Sequence, residues 1–106
     1  MRIFRGDTFE FDFSATLEDR ITLHTFETGD VLKAGIKRKI QNTDYMLYQS
    51  KTIEENTDTV RFEFSHEEMM LVSIGEAVLE VELTSAGRVS TLYQEEIEIE
   101  GDVIDE

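Results

Sequence analysis

Few side chains in this 106-residue chain are of the types that make or break bonds. Histidine supplies general bases and metal ligands, and His24 and His66 are the two present. Neither lies at the short spacing from a second strong ligand that zinc or iron sites need. His66 also falls where a helix would begin, a position at which an imidazole meets solvent. Carboxylates are plentiful, as Glu54-Glu55, Glu67-Glu68, Glu95-Glu96 and the Asp102–Glu106 cluster. Acid–base catalysis needs two carboxyls across a cleft with their pKa values driven apart, which neighbours on a solvated strand face do not supply. No calcium loop of the D-x-D-x-D-G kind occurs, and incidental weak cation binding is all these carboxylates imply. Ser73-Ile74-Gly75 departs from a nucleophile elbow, and six glycines scattered singly make no phosphate-binding loop. The expectation is a protein that is not an enzyme and holds no metal and no cofactor.

Two other groups carry chemistry of contact. Arg5-Gly6-Asp7 spells an integrin-binding tripeptide, but it precedes a strand, where Gly-Asp is turn material. Lys33, Lys37, Arg38 and Lys39 form the one basic cluster. On a strand, Lys33, Lys37 and Lys39 share a face opposite Leu32, Ala34 and Ile36. A nucleic-acid surface would interleave aromatics with those lysines. Pairing with the chain's own glutamates explains them better. The formal net charge is −14, from 10 basic and 24 acidic residues. Residues 1–53 hold eight of each, so the whole imbalance lies in residues 54–106. Such a surface repels phosphate backbones and anionic membranes and suits a basic partner or simple solubility.

The elements that must position these groups are strands. Phe9, Phe11 and Phe13 alternate with Glu10 and Asp12; Val60, Phe62 and Phe64 with Arg61 and Glu63; Leu79, Val81 and Leu83 with Glu80 and Glu82. Ile97 and Ile99 sit between Glu96, Glu98 and Glu100. Period two means one face meets a core and the other meets water. The spacing predicts strands at Thr8–Ser14, Ile21–Phe26 (weakly), Val31–Ile40, Tyr45–Ile53, Thr59–Phe64, Ala77–Thr84 and Val89–Glu100, the last kinked near Gln94-Glu95. Ser65-His66-Glu67-Glu68 fits a capping box and predicts a short helical turn near 66–71. With no cysteine and no proline, the fold has no disulfide, and its turns rest on Gly, Asn, Asp and Ser. The chain is expected to be one domain over 1–106, an all-β, antiparallel, immunoglobulin-like sandwich of about seven strands, with a small barrel as the alternative. Its core should contain Phe9, Phe11, Phe13, Leu32, Ile36, Phe62, Phe64, Leu79, Val81 and Leu83. No signal peptide opens it, and Met69 to Val72 is too short an apolar run to span a bilayer, so a soluble product of the cytoplasm is expected.

The order of motifs carries a likeness. Arg5-Gly6-Asp7-Thr8-Phe9, the segment Thr28 to Lys37, the strand Gly75 to Thr84 and the turn into Val89-Ser90-Thr91-Leu92 follow one another as they do in a known family. Across nearly its full length the chain resembles the N-terminal immunoglobulin-like domain of baseplate upper proteins and related tail modules of phages infecting Gram-positive bacteria. The resemblance implies a non-enzymatic virion or prophage structural protein, made in the host bacterial cytoplasm, that docks onto copies of itself or other structural proteins. Neither nucleic acid nor a membrane is expected as partner. An acidic inhibitor that mimics nucleic acid and a carbohydrate-binding sandwich presenting Tyr45, Tyr48 and Tyr93 remain the alternatives.

In an immunoglobulin-like order the third strand pairs with the sixth. Lys33, Lys37 and Lys39 would then lie beside Glu80 and Glu82, leaving Glu96, Glu98 and Glu100 without cationic neighbours. These six residues, Glu96, Glu98, Glu100, Lys33, Lys37 and Lys39, are the candidate protein-contact surface.

Overall fold

The alternating segments pair as strands in a computed structural model of the protein, which describes residues 1–101; the acidic cluster Asp102–Glu106 lies outside the described residues. The strands are β1 (Arg2–Phe4), β2 (Phe9–Phe13), β3 (Val31–Lys37), β4 (Leu47–Thr52), β5 (Val60–Phe64), β6 (Gly75–Ser85) and β7 (Arg88–Glu100). A single turn of helix, α1 (His66–Met69), joins β5 to β6. Five strands form a curled mixed sheet in the order β1-β7-β6-β3-β4, and β2 and β5 pair as a small second sheet. All neighbours are antiparallel except β1 and β7, which run parallel. The chain is therefore all-β, as its periodicity requires.

The expected seven-strand list is corrected at several places, and the third strand ends at Lys37 rather than Ile40, which leaves Lys39 outside it. Ile21–Phe26 is not a strand: it contributes only the isolated bridges Thr16↔Leu23 and Phe26↔Thr57. Its pattern does not match a buried face, because Ile21 is exposed and Phe26 alone is buried. Asp19 instead organises a turn there, its carboxylate accepting from the amides of Ile21 and Thr22. In its place β1, too short to show periodicity, pairs along β7 in the register Arg2↔Glu98 to Phe4↔Glu100. The kink in β7 is a bulge: Val81 faces Tyr93 and Glu82 faces Thr91, which leaves Leu92 as the extra residue rather than Gln94-Glu95.

The core lies between the two sheets, built from Phe13, Phe26, Leu32, Ile36, Phe62, Phe64, Leu79, Val81, Ile97 and Ile99. Met69 and Val72 of the helical turn and its exit plug one end. The capping box forms as its residues dictate: the Ser65 hydroxyl accepts from the Glu68 amide at 3.2 Å, and the Ser65 amide donates to the Glu68 carboxylate at 2.8 Å. Three expected core residues differ. Phe9, Phe11 and Leu83 are only partly buried and pack against the margin of the core. Period two identifies the inner face of a strand, but how far a second layer extends over that face is a tertiary matter.

At the far end of β6 and β7 the chain turns through Ala86 and Gly87, both at positive φ (52° and 79°), between the paired Ser85 and Arg88. Two central residues of that hand make the turn whose twist matches a hairpin.

Candidate contact surface

The third strand does pair with the sixth, and its lysines meet the expected glutamates. Lys33 lies directly opposite Glu82, with an Nζ–carboxylate distance of 3.7 Å; Lys37 reaches diagonally to Glu80 at 3.0 Å. The face they share is not the open charged ladder that alternation suggests. Lys37 is 6% exposed and Glu80 2%. What covers them is Tyr45, from the segment between β3 and β4, whose ring lies close against Gly35. A Cβ at position 35 would stand 2.4 Å from that ring. A glycine inside a strand often marks such a close approach, and here it is the sequence signal that could have revealed the clamp.

Around Glu80 every polar atom is met. Tyr45 Oη donates to one carboxylate oxygen at 2.6 Å and Gln94 Nε2 to the other at 2.5 Å, while Lys37 also donates to the Asn42 carbonyl at 3.0 Å. Burial pushes the Glu80 carboxyl up, but the hydrogen bonds from Tyr45, Gln94 and Lys37 and the lysine's charge outweigh it and hold the group below the ordinary carboxylate range. The same burial and the same carboxylate drive the Tyr45 hydroxyl well above its ordinary value. A charge pair so enclosed and satisfied holds strand register and contributes little that a partner could grip. Lys33 adds to the clamp from outside, its Nζ 4.6 Å from the Tyr45 ring centre and 5.5 Å from that of Tyr48. Of the candidate contact residues, Lys33 and Lys37 therefore belong to the sheet's own architecture.

The other four lie beyond Lys37, at the end of the sheet where Lys37 and Glu96 flank Val78 in one row. Lys39 is exposed just past β3 and, with Arg38, lines one side of an open hollow of about 480 Å³. Glu76, Glu96 and Glu98 line the other side. Glu96 and Glu98 project outward on β7, as alternation predicted. Glu100 departs from expectation, because its carboxylate forms an ion pair with Arg2 of the unforeseen strand β1.

The remaining candidate groups are placed as structural parts. Arg5 donates to the carbonyls of Val72 (3.0 Å) and Met70 (3.1 Å), and His66 Nδ1 meets the carbonyl of Gly6, so the Arg5-Gly6-Asp7 turn and the helical turn hold each other. His24 sets its ring edge-on to Phe26 at 5.0 Å. Among the described residues no three His, Cys, Asp or Glu side chains are grouped as a metal site, and no helix is long and apolar enough to cross a membrane.

The small sheet shows a feature that strand alternation alone does not reveal. The Gln49 side chain of β4 reaches the outer edge of β5, donating to the Glu63 carbonyl (3.3 Å) and accepting from the Glu63 amide (3.4 Å). Beside it Lys51 donates to the Arg61 carbonyl. Side chains thus supply three of the hydrogen bonds that a further strand would otherwise make to β5. Comparison with protein-family models, with characterised proteins and with solved structures finds no match to this chain.

Proposed function

We propose that this protein is a non-enzymatic contact module of immunoglobulin-like sandwich type, a structural part of a phage or prophage tail or baseplate. Support comes from the order of motifs resembling baseplate upper proteins and from the all-β layout with β3 and β6 adjacent in mid-sheet. The observation that carries the contact function is the disposition of charge. The buried lysine of the basic cluster is matched to a glutamate inside the fold, and the other carboxylates of the second half, among the described residues, lie exposed or half-exposed. There they can meet basic surfaces of neighbouring subunits and discourage wrong ones. The exposed Tyr48 is less suited to stacking on a sugar, because Lys33 already lies over its ring.

Mass spectrometry of particles released when the carrying bacterium's prophages are induced tests this reading. The protein should be present in fixed ratio to the tail proteins. Its absence from washed particles would overturn the assignment, and a gene embedded among metabolic rather than tail genes would do the same.

A further inference from the structure

We infer that the free edge of β2 is a docking site for an extended segment of another protein, one that alternates basic and aliphatic residues and adds itself as a third strand to the small sheet. This rests on the protein-contact function proposed above and names the place and the chemistry of one contact.

The pairing pattern fixes which backbone groups are on offer. Opposite residues in an antiparallel pair either exchange both hydrogen bonds or point both sets away. The backbone groups of Glu63 and Arg61 turn toward Gln49 and Lys51, away from β2. Their opposites across the pair are Glu10 and Asp12, so the amides and carbonyls of these two residues point the other way, out of the sheet. Among the described residues no backbone partner meets them. The small sheet is thus closed along β5 and open along β2.

What lies beside the open edge suits a strand. A sheet of two strands has room for a third, which would extend its backbone pairing. Two hollows, of about 300 and about 200 Å³, flank β2 where it faces β7 and β1. The larger is lined mainly by Phe11, Phe13, Leu79 and Tyr93, and Phe9 borders the smaller. An added strand would lay its inward side chains over these rings, half of which are only partly buried. No proline and no bulge interrupts β2, and the charges that guard it are the carboxylates Glu10 and Asp12, which turn away an acidic strand and not a basic one.

Charge selects the occupant. On the outer face of the small sheet stand Glu10, Asp12 and Glu63 against Arg61, which pairs with Glu10 at 2.8 Å and Asp12 at 3.2 Å. A second copy docking β2 against β2 about a two-fold axis would set Glu10 and Asp12 against their own equivalents, and like charges directly opposite destabilise a strand pair. A segment whose outward positions carry Lys or Arg has no such penalty and gains attraction at each position. Backbone bonds then provide affinity, while the side chains facing the hollows provide selectivity.

The test uses two short synthetic peptides, one alternating lysine with valine and one alternating glutamate with valine, titrated into the isotope-labelled full chain. At low salt the lysine peptide should bind roughly tenfold or more tightly than the glutamate peptide, and should slow amide exchange at Glu10 and Asp12. Asp12→Pro removes an outward amide without touching the β5 ladder, and should weaken that binding about tenfold. The double variant Glu10→Lys with Asp12→Lys, which keeps the backbone donors, should reverse the preference. Equal binding of the two peptides, or binding without protection of Glu10 and Asp12, would overturn the inference. Self-association of the free protein with those two amides already protected would overturn it too, in favour of a second copy. Protein that enters particles yet ignores both peptides would remove this edge and leave the proposed function standing; protein that grips the lysine peptide yet is missing from particles would do the reverse.

Discussion

The two flanks of the small sheet are made from similar strands and finished in opposite ways. On the β5 side, Gln49 and Lys51 cross from the large sheet and meet the amide and carbonyl of Glu63 and the carbonyl of Arg61. Behind them Tyr45 lies on Gly35 and encloses the Lys37–Glu80 pair. On the β2 side the amides of Glu10 and Asp12 point outward, and Phe9 and Phe11 remain half-buried beside open hollows. The difference shows that the side chains of a neighbouring sheet can close a strand edge, and that an edge without such neighbours keeps its valence for another chain.

The steepest way to probe the contrast is to truncate one ring on each flank. Phe62 is fully buried and Phe11, its opposite in the register, is not. Phe62→Ala should cost about 3–5 kcal/mol of unfolding free energy. Phe11→Ala, which the sequence alone would rank beside it, should cost only about 1–2 kcal/mol because its ring is only partly buried at the margin of the core. Chemical denaturation of both variants checks this; equal losses would mean that the β2 flank is as closed as the other.

Removing Glu80 should be nearly as severe, since Glu80→Ala strands the buried Lys37 ammonium and pairs broken in this way cost about 3–5 kcal/mol. A smaller loss, on the order of 1–3 kcal/mol, is expected for Gly35→Ala, whose methyl must push the Tyr45 ring off the strand. Fluorescence or NMR shifts of Tyr45 should report that displacement. An unmoved Tyr45 signal would show that the clamp is looser than its geometry indicates.

The clamp on the far face of the large sheet should also carry a pH signature. Glu80 is held below the ordinary carboxylate range, so its contribution is present above the ordinary glutamate pKa and is lost as pH falls through the group's own lower value. Tyr45 is raised, so its contribution is complete below the ordinary tyrosine value of 10.0 and is lost as pH climbs through the higher one. Glu80→Gln should flatten the acid side of the stability profile and Tyr45→Phe the alkaline side. A profile unchanged by Glu80→Gln would show that the pair is not coupled to folding.

The mildest change is Gln49→Ala, which should cost about 1 kcal/mol or less because water can replace exposed hydrogen bonds. Its value lies in the exchange rate: the Glu63 amide, slow in the parent, should exchange faster and approach the behaviour of Glu10 and Asp12. If it stays slow, the glutamine is not what closes the β5 edge.

Much of this architecture was legible in the residues because it depends on local periodicity. Alternating Phe, Val, Leu and Ile marked β2, β5, β6 and the inner half of β7, and the capping residues Ser65 and Glu68 marked the helical turn. The pairing of β3 with β6 was expected from an immunoglobulin-like strand order rather than read from any one residue, and it sets the lysine face beside the glutamate face. The candidate surface was only partly legible. Lys39, Glu96 and Glu98 line one hollow, whereas Lys33 and Lys37 are absorbed into the sheet and Glu100 is claimed by Arg2.

What the sequence determined by itself is which face of each strand is apolar, since side chains alternate whatever the strand packs against. Only the tertiary structure decided how far each face is covered and by what. Tyr45 covers Lys37 and Glu80 because Gly35, distant from Glu80 in the chain, leaves room for a ring. Among the described residues the backbone groups of Glu10 and Asp12 meet no partner, because the large sheet's side chains reach β5 and stop there. Coverage depends on contacts between residues far apart in the chain, and strand alternation carries no record of distance across the fold.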